Sequence, residues 1–197
     1  MLERTSALAG ALARGGQSPG GPAGVRMGEV RGWGLLQVAG FPGDMAAVEH
    51  EVNLALSLAT PAAIGVAARG GELTVLRTGP EQIWIVGPGE RLAVEPTLRA
   101  AVVGASGVVT SLSHSRSRIF IEGARARDVL AREISLDLDP SVFRPGRFAL
   151  TGFDHTPVLL HRTGADRFEI YAMRTFALTV WEHLADAALE FGYEVAP

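Results

Sequence analysis

Near neutral pH, acid–base chemistry in this chain rests on five histidines and twenty-one carboxylates. The chain has no cysteine, and its eighteen basic residues are all arginine. Disulfides, thiolate metal ligands, a cysteine nucleophile, a Schiff-base lysine and a phosphate-loop lysine are thereby excluded. Arginine keeps its proton across the neutral range and does not serve as a base. His50 is followed by Glu51 but has no second histidine four residues on, so a zincin site is missing. Asp154, His155 and His161 cluster around one strand without a further convergent ligand, so no metal site is expected. Gly87–Leu92 starts like a dinucleotide loop, but Leu92 stands where the third glycine belongs, and it reads as a turn. Gly104–Gly107 is too short for a nucleophile elbow. Arg116, Arg118, Arg125 and Arg127 surround Gly123 ahead of a helix. Such a group either holds a phosphate or carboxylate, or is solvated or at an interface. Trp33, Trp84 and Trp181 offer either a stacking surface or core and subunit-contact roles.

These residues need elements to position them, and composition allows a well-packed body. The chain has 197 residues, 47% of them hydrophobic, and a net charge of -3. That is ample for one domain or two small ones, and too apolar for disorder. A pI near 6.0 and the lack of a basic run argue against a nucleic-acid binder. The mean hydropathy of +0.20 is high for a chain with 20% charged residues. It fits either a large Ala- and Val-rich core or a face covered by a partner. The longest uncharged run, Val52–Ala68, is too short and too interrupted to span a bilayer comfortably. The N-terminus lacks the long apolar centre of a secretory signal, so a cytoplasmic location is expected.

Residues 1–24 read as an N-terminal peptide, helical over Thr5–Ala13, followed by a Gly- and Pro-rich tether. Strands are predicted over Leu35–Phe41, Leu73–Arg77, Gln82–Val86, Val108–Leu112, Arg118–Ile121, Arg147–Phe153, Pro157–His161, Arg167–Tyr171 and Tyr193–Val195. Helices are predicted over Met45–Leu58 with Asp44 as N-cap, Glu90–Val103 with Pro96 inside or beginning it, Arg125–Arg132 and Phe176–Phe191. The order repeats. Gly40 and Gly123 each close a strand ahead of a helix, with 123 − 40 = 83. Gly79–Val86 resembles Gly164–Tyr171, with 164 − 79 = 85. The predicted class is therefore α+β: two ferredoxin-like, split βαβ units, 25–112 and 113–197, packed together as one compact domain.

Thr110–Leu138 carries an ordered signature: Ser113-His114-Ser115-Arg116, a strand, Gly123, a helix ending Val129-Leu130, then Ser135–Leu138. With Pro140–Gly146, Val158–Arg162, Phe168–Tyr171, Arg174–Ala177, Trp181-Glu182 and Glu190–Gly192, it resembles the gamma subunit of heterotetrameric sarcosine oxidase. That family in turn resembles the folate-binding fold of the aminomethyltransferases, in agreement with the doubled reading. The resemblance implies a non-catalytic structural subunit of a complex that oxidatively demethylates sarcosine to glycine and passes the one-carbon unit to tetrahydrofolate. It implies alpha, beta and delta subunits as partners, chiefly alpha, with no nucleic acid and no membrane. FAD, FMN, NAD, tetrahydrofolate and zinc would sit on those other subunits, and no cofactor on this one. The aminomethyltransferase carboxylate corresponds to Asp137, but Leu136 replaces the Asn before it and Ser111 replaces an expected Asp. Asp137, with His114 nearby, is thus the vestigial folate-site candidate; capping of a turn is the favoured role for Asp137. The alternative is a folate-dependent one-carbon binding protein or aminomethyltransferase-like enzyme using Asp137.

Overall fold

The computed structural model describes residues 5–13, 15–17 and 21–196. The remainder of the tether expected at 1–24 lies outside the described residues. Two units separate: Gly32–His114, and the segment through Arg31 joined with Ser115 onward.

The unit Gly32–His114 is built as β2 (Trp33–Gly40), α2 (Met45–Leu56), β3 (Ala67–Gly70), β4 (Leu73–Gly79), β5 (Gln82–Pro88), α3 (Glu95–Gly104) and β6 (Gly107–Ser111). Its five-stranded sheet has the order β3-β4-β5-β2-β6, antiparallel throughout. Four of these strands give the split βαβ order, with β3 added at the edge. The helices bury Val48, Val52, Leu98 and Val102 against Leu36, Val38, Ile83 and Ile85. Pro96 lies in the first turn of α3, where its missing N–H costs no helical bond, and a 3-10 turn over Gly89–Val94 precedes it. Asp44 stands at the N-cap position of α2, yet its side chain makes no cap bond; its carbonyl instead accepts the Ala47 and Val48 N–H groups at 3.0 and 3.1 Å. Left-handed Ser57 (φ 49°) ends α2 two residues before the expected Leu58.

The other unit repeats this order with β7 (Arg116–Glu122), α4 (Ala126–Glu133), β8 (Phe148–Phe153), β9 (Thr156–Arg162), β10 (Arg167–Met173), α5 (Ala177–Ala188) and β11 (Tyr193–Val195). It differs at one edge. Its sheet order is β11-β1-β7-β10-β9-β8, where β1 is Val25–Glu29. β1 is antiparallel to β7 and occupies the place that β6 holds beside β2. The closing strand β11 lies one step further out, parallel to β1. The expected boundaries 25–112 and 113–197 are therefore corrected, because residues 25–31 belong with the second half of the chain. The reason is packing: Val25 and Met27 are 2% and 0% exposed in a core with Ile119, Ile121, Val129, Leu130, Val180 and Leu184. Each such burial contributes about 1.5–3 kcal/mol.

The helical N-terminal peptide shortens to α1 (Ala9–Leu12). It docks on its own unit: Leu8 is fully buried in the same core, and the Arg174 guanidinium donates to the Thr5 carbonyl. No helix among the described residues is long and apolar enough to cross a membrane.

Gly123 is the seam that lets β1 approach. Its φ is +124°, and a Cβ there would lie 2.7 Å from the Gly24 carbonyl oxygen, just ahead of β1. Both the conformation and the close approach demand glycine. Gly123→Ala is expected to lower unfolding stability by about 2 kcal/mol or more, read by urea denaturation. Gly43→Ala, at a positive-φ turn with open space, should cost less.

Candidate functional site

Charged side chains at alternate positions of three adjacent strands converge on the face of the six-stranded sheet opposite α4 and α5. Period-two alternation puts Arg118, Phe120 and Glu122 of β7 on one face, and Ile119 and Ile121 on the other. β10 does the same with Arg167, Glu169 and Tyr171, and β1 with Arg26 and Gly28. Register then sets Glu122 opposite both Arg26 and Arg167, and Tyr171 opposite Arg118.

A continuous chain of ion pairs results. Arg118 donates from Nε and Nη2 to Glu169 Oε2 at 2.9 and 2.7 Å, and the Tyr171 hydroxyl donates to the same oxygen at 3.2 Å. Arg167 Nε lies 3.8 Å from Glu169 Oε1, and its Nη1 donates to Glu122. Glu122 Oε1 accepts from Arg26 at 3.0 Å. Arg167 also stacks over the Phe120 ring at 4.3 Å. Glu169 and Tyr171 are 4% and 2% exposed, so this end of the chain lies in a low-dielectric setting where both partners are needed. At Glu122, partial burial works to raise the pKa. The hydrogen bonds and charges of Arg167 and Arg26 outweigh it and hold the carboxyl below its ordinary value. Burial pushes the Tyr171 hydroxyl pKa up, with Arg118 opposing and Glu169 reinforcing.

Of the residues singled out from sequence, Arg118 belongs to this chain of ion pairs and the others are placed elsewhere. Asp137 is exposed, and its Oδ1 accepts the Asp139 N–H at 2.9 Å, which is a turn-capping bond. Asp139 does the same for the Ser141 N–H at 2.8 Å, and the Ser141 bonds lower its pKa. His114 is exposed and falls in the other unit. The arginines around Gly123 have internal partners: Arg118 has Glu169, Arg125 has Asp128 at 3.0 Å and the Phe191 ring at 4.4 Å, and Arg127 has Asp166 at 3.3 Å. Partial burial lowers the Arg116 pKa, and its Nη1 donates to the Ser115 carbonyl at 3.3 Å. The His155 side chain is 98% exposed, whereas His161 is buried at the far end of β9. Among the described residues, no group of three or more His, Asp or Glu could hold a metal ion. Trp33, Trp84 and Trp181 are all buried, with the Trp84 Nε1 donating to Gln37 at 3.1 Å.

The ion-pair chain was visible only as an alternation of charge within Arg116–Glu122 and Arg167–Tyr171. Its pairing requires the register of three strands, no two of them closer than 45 residues along the chain.

Two helix-backed sheets, antiparallel except where β11 joins β1, are built from one repeated split βαβ order and define a doubled α+β fold. The aminomethyltransferase T of the glycine cleavage system from Bartonella henselae has this fold, with a TM-score of 0.64 at 20% identity over 88% of this chain and 48% of that one. Residues 40–190 match the model of the sarcosine oxidase, gamma subunit family, and the chain belongs to that family. The gamma subunit of sarcosine oxidase from Corynebacterium sp. (strain U-96) is 33% identical over 159 residues, covering 80% of this chain and 75% of that protein. The Arthrobacter gamma subunit is 34% identical over 160 residues, with the same shares. The solved heterotetrameric sarcosine oxidase from Corynebacterium sp. U-96, in complex with pyrrole 2-carboxylate, contains a chain that superposes with a TM-score of 0.84. It is 30% identical over 95% of this chain and 96% of that one.

Acid and mutation test the ion-pair chain. The depressed Glu122 pKa contributes stability that is fully present above the unfolded carboxylate range, about 4.3. That contribution is lost as pH falls through the lower folded value, so Glu122→Gln should flatten the acid limb of a stability–pH profile. Glu169→Ala removes the buried carboxylate that accepts from Arg118 and the Tyr171 hydroxyl. A loss of about 3 kcal/mol is expected in denaturant unfolding, and a loss below about 1 kcal/mol would place the pair among weak surface bridges.

Proposed function

We propose that this chain is the non-catalytic gamma subunit of a cytoplasmic, four-subunit sarcosine oxidase. Its work there is structural: to present a rigid, folded surface to the other subunits, chiefly alpha, near the path along which the one-carbon unit reaches tetrahydrofolate. The observation that carries this reading is the end-to-end likeness to a chain of a solved heterotetrameric sarcosine oxidase, covering 95% of this chain at a TM-score of 0.84. The use of its ionisable groups supports it. Asp137 is engaged in a turn, and the Arg118–Glu169 pair and the Glu122 bridges are internal to one sheet. On this reading FAD, FMN, NAD, tetrahydrofolate and zinc belong to the partner subunits. A folate ligand on this chain fits poorly, because the matching carboxylate accepts a backbone N–H and the Asn ahead of it is Leu136.

Co-expression with the alpha, beta and delta subunits tests the proposal. Leaving this chain out should prevent recovery of the intact complex and its sarcosine oxidation. Asp137→Asn and His114→Ala should assemble normally and keep turnover, with and without tetrahydrofolate, within about twofold of the parent, which corresponds to about 0.4 kcal/mol. A tenfold or larger loss of tetrahydrofolate-dependent turnover in Asp137→Asn, in an intact complex, would favour the rival one-carbon enzyme instead.

A further inference from the structure

The edge formed by β6 is the strand of the five-stranded sheet that most needs protection. It lies at the end of the strand order, with no neighbour beyond it among the described residues. Residues 100–113 carry no charge, and β6 itself is Gly107-Val108-Val109-Thr110-Ser111. Val108 is 52% exposed. An uncharged, β-branched edge without proline is a template for pairing with a second copy of itself.

The direction of its free backbone groups follows from the ladder. Leu112 donates its N–H to the Leu35 carbonyl at 2.8 Å, so 112 and 35 form a hydrogen-bonded pair. Alternation then makes 110 and 108 bonded to β2, and turns the N–H and C=O of Gly107, Val109 and Ser111 outward. The outward Val109 carbonyl does have a donor. Arg99 Nη1, from α3, lies 2.6 Å from it, and Arg99 Nη2 is held by Glu95 one helical turn back, also at 2.6 Å.

The repeat shows what this donor stands in for. Val109 pairs with Val38 of β2, and Met27 of β1 pairs with Ile121 of β7. Val38 and Ile121 are equivalent by the 83-residue offset, since 121 − 38 = 83. Val109 and Met27 thus hold equivalent places. The Met27 carbonyl accepts the Ala196 N–H at 2.8 Å, just after β11, the strand that covers that edge. In one unit the edge carbonyl is satisfied by a further strand, and in the other by a guanidinium.

We propose that Arg99 is an edge guard, closing β6 against antiparallel pairing with the β6 of a second copy of this chain. A charged guanidinium over Val109 satisfies one outward carbonyl. It also sets a positive charge where the symmetry axis of a β6–β6 pair would bring two of them together. Glu95 fixes its position.

The test is the association state of the full chain, measured by analytical ultracentrifugation over a concentration series, with helix and strand content followed by circular dichroism. Arg99→Ala should shift the association midpoint at least tenfold lower in concentration and bring the intermolecular β band into the infrared spectrum. Arg99→Leu, which keeps a long stem on α3, repeats the test if the alanine variant fails to fold. Adding Val108→Lys should restore the parent behaviour by placing a new charge on the same edge. An association profile unchanged from the parent in the folded variants overturns the proposal. So does association that Val108→Lys leaves in place, because it arises at another surface.

Discussion

The insertion of β1 between β7 and β11 is the constraint on which the larger unit depends. A strand from the start of the chain completes a sheet whose other members begin at Arg116. Ladder bonds, two buried apolar side chains and one end of the charge network all arrive with it. Gly123 makes the approach possible, since any side chain there would meet the backbone leading into β1. Docking of Leu8 and Ala11 in the same core then ties the N-terminal peptide to the unit that β1 completes. The C-terminal strand is displaced outward, pairing with β1 and also bridging Gln17 through the Tyr193 N–H.

The same placement gives the ionisable groups their character. Arg26, Glu122, Arg167, Glu169 and Arg118 neutralise one another along a sheet face, and the interior end of the series is desolvated. Groups committed in this way rigidify a surface rather than exchange protons with a substrate. The two units also solve one problem differently. Each ends in a strand edge, and one covers it with β11 while the other presents Arg99 to the corresponding carbonyl.

Local pattern made much of this legible. Gly79-Pro80 between the predicted strands Leu73–Arg77 and Gln82–Val86 reads as a hairpin turn, and β4 and β5 form it. The 83- and 85-residue offsets, Pro96 at the start of α3 and the amphipathic stripe of α5 all report on neighbours a few residues apart, which sequence displays directly. The ordered motifs from Thr110 to Gly192 carried the family. By contrast, no local signal marks β1, which is brief and whose partners β7 and β11 are distant in the chain. Asp44 shows a further gap: an N-cap residue type occupies the N-cap place without its side chain making the bond.

By itself the sequence determined the α+β class, the repeat, the family and the chemistry forbidden by a lack of cysteine and lysine, because these rest on residue identity and short-range periodicity. Only the tertiary structure decided that residues 25–31 belong to the second half, that Glu122 serves two arginines, and that Arg99 meets an outward carbonyl. Each of these depends on strand register between segments far apart in the chain. A register is selected by the burial of whole faces at once, and no local run of residues encodes it.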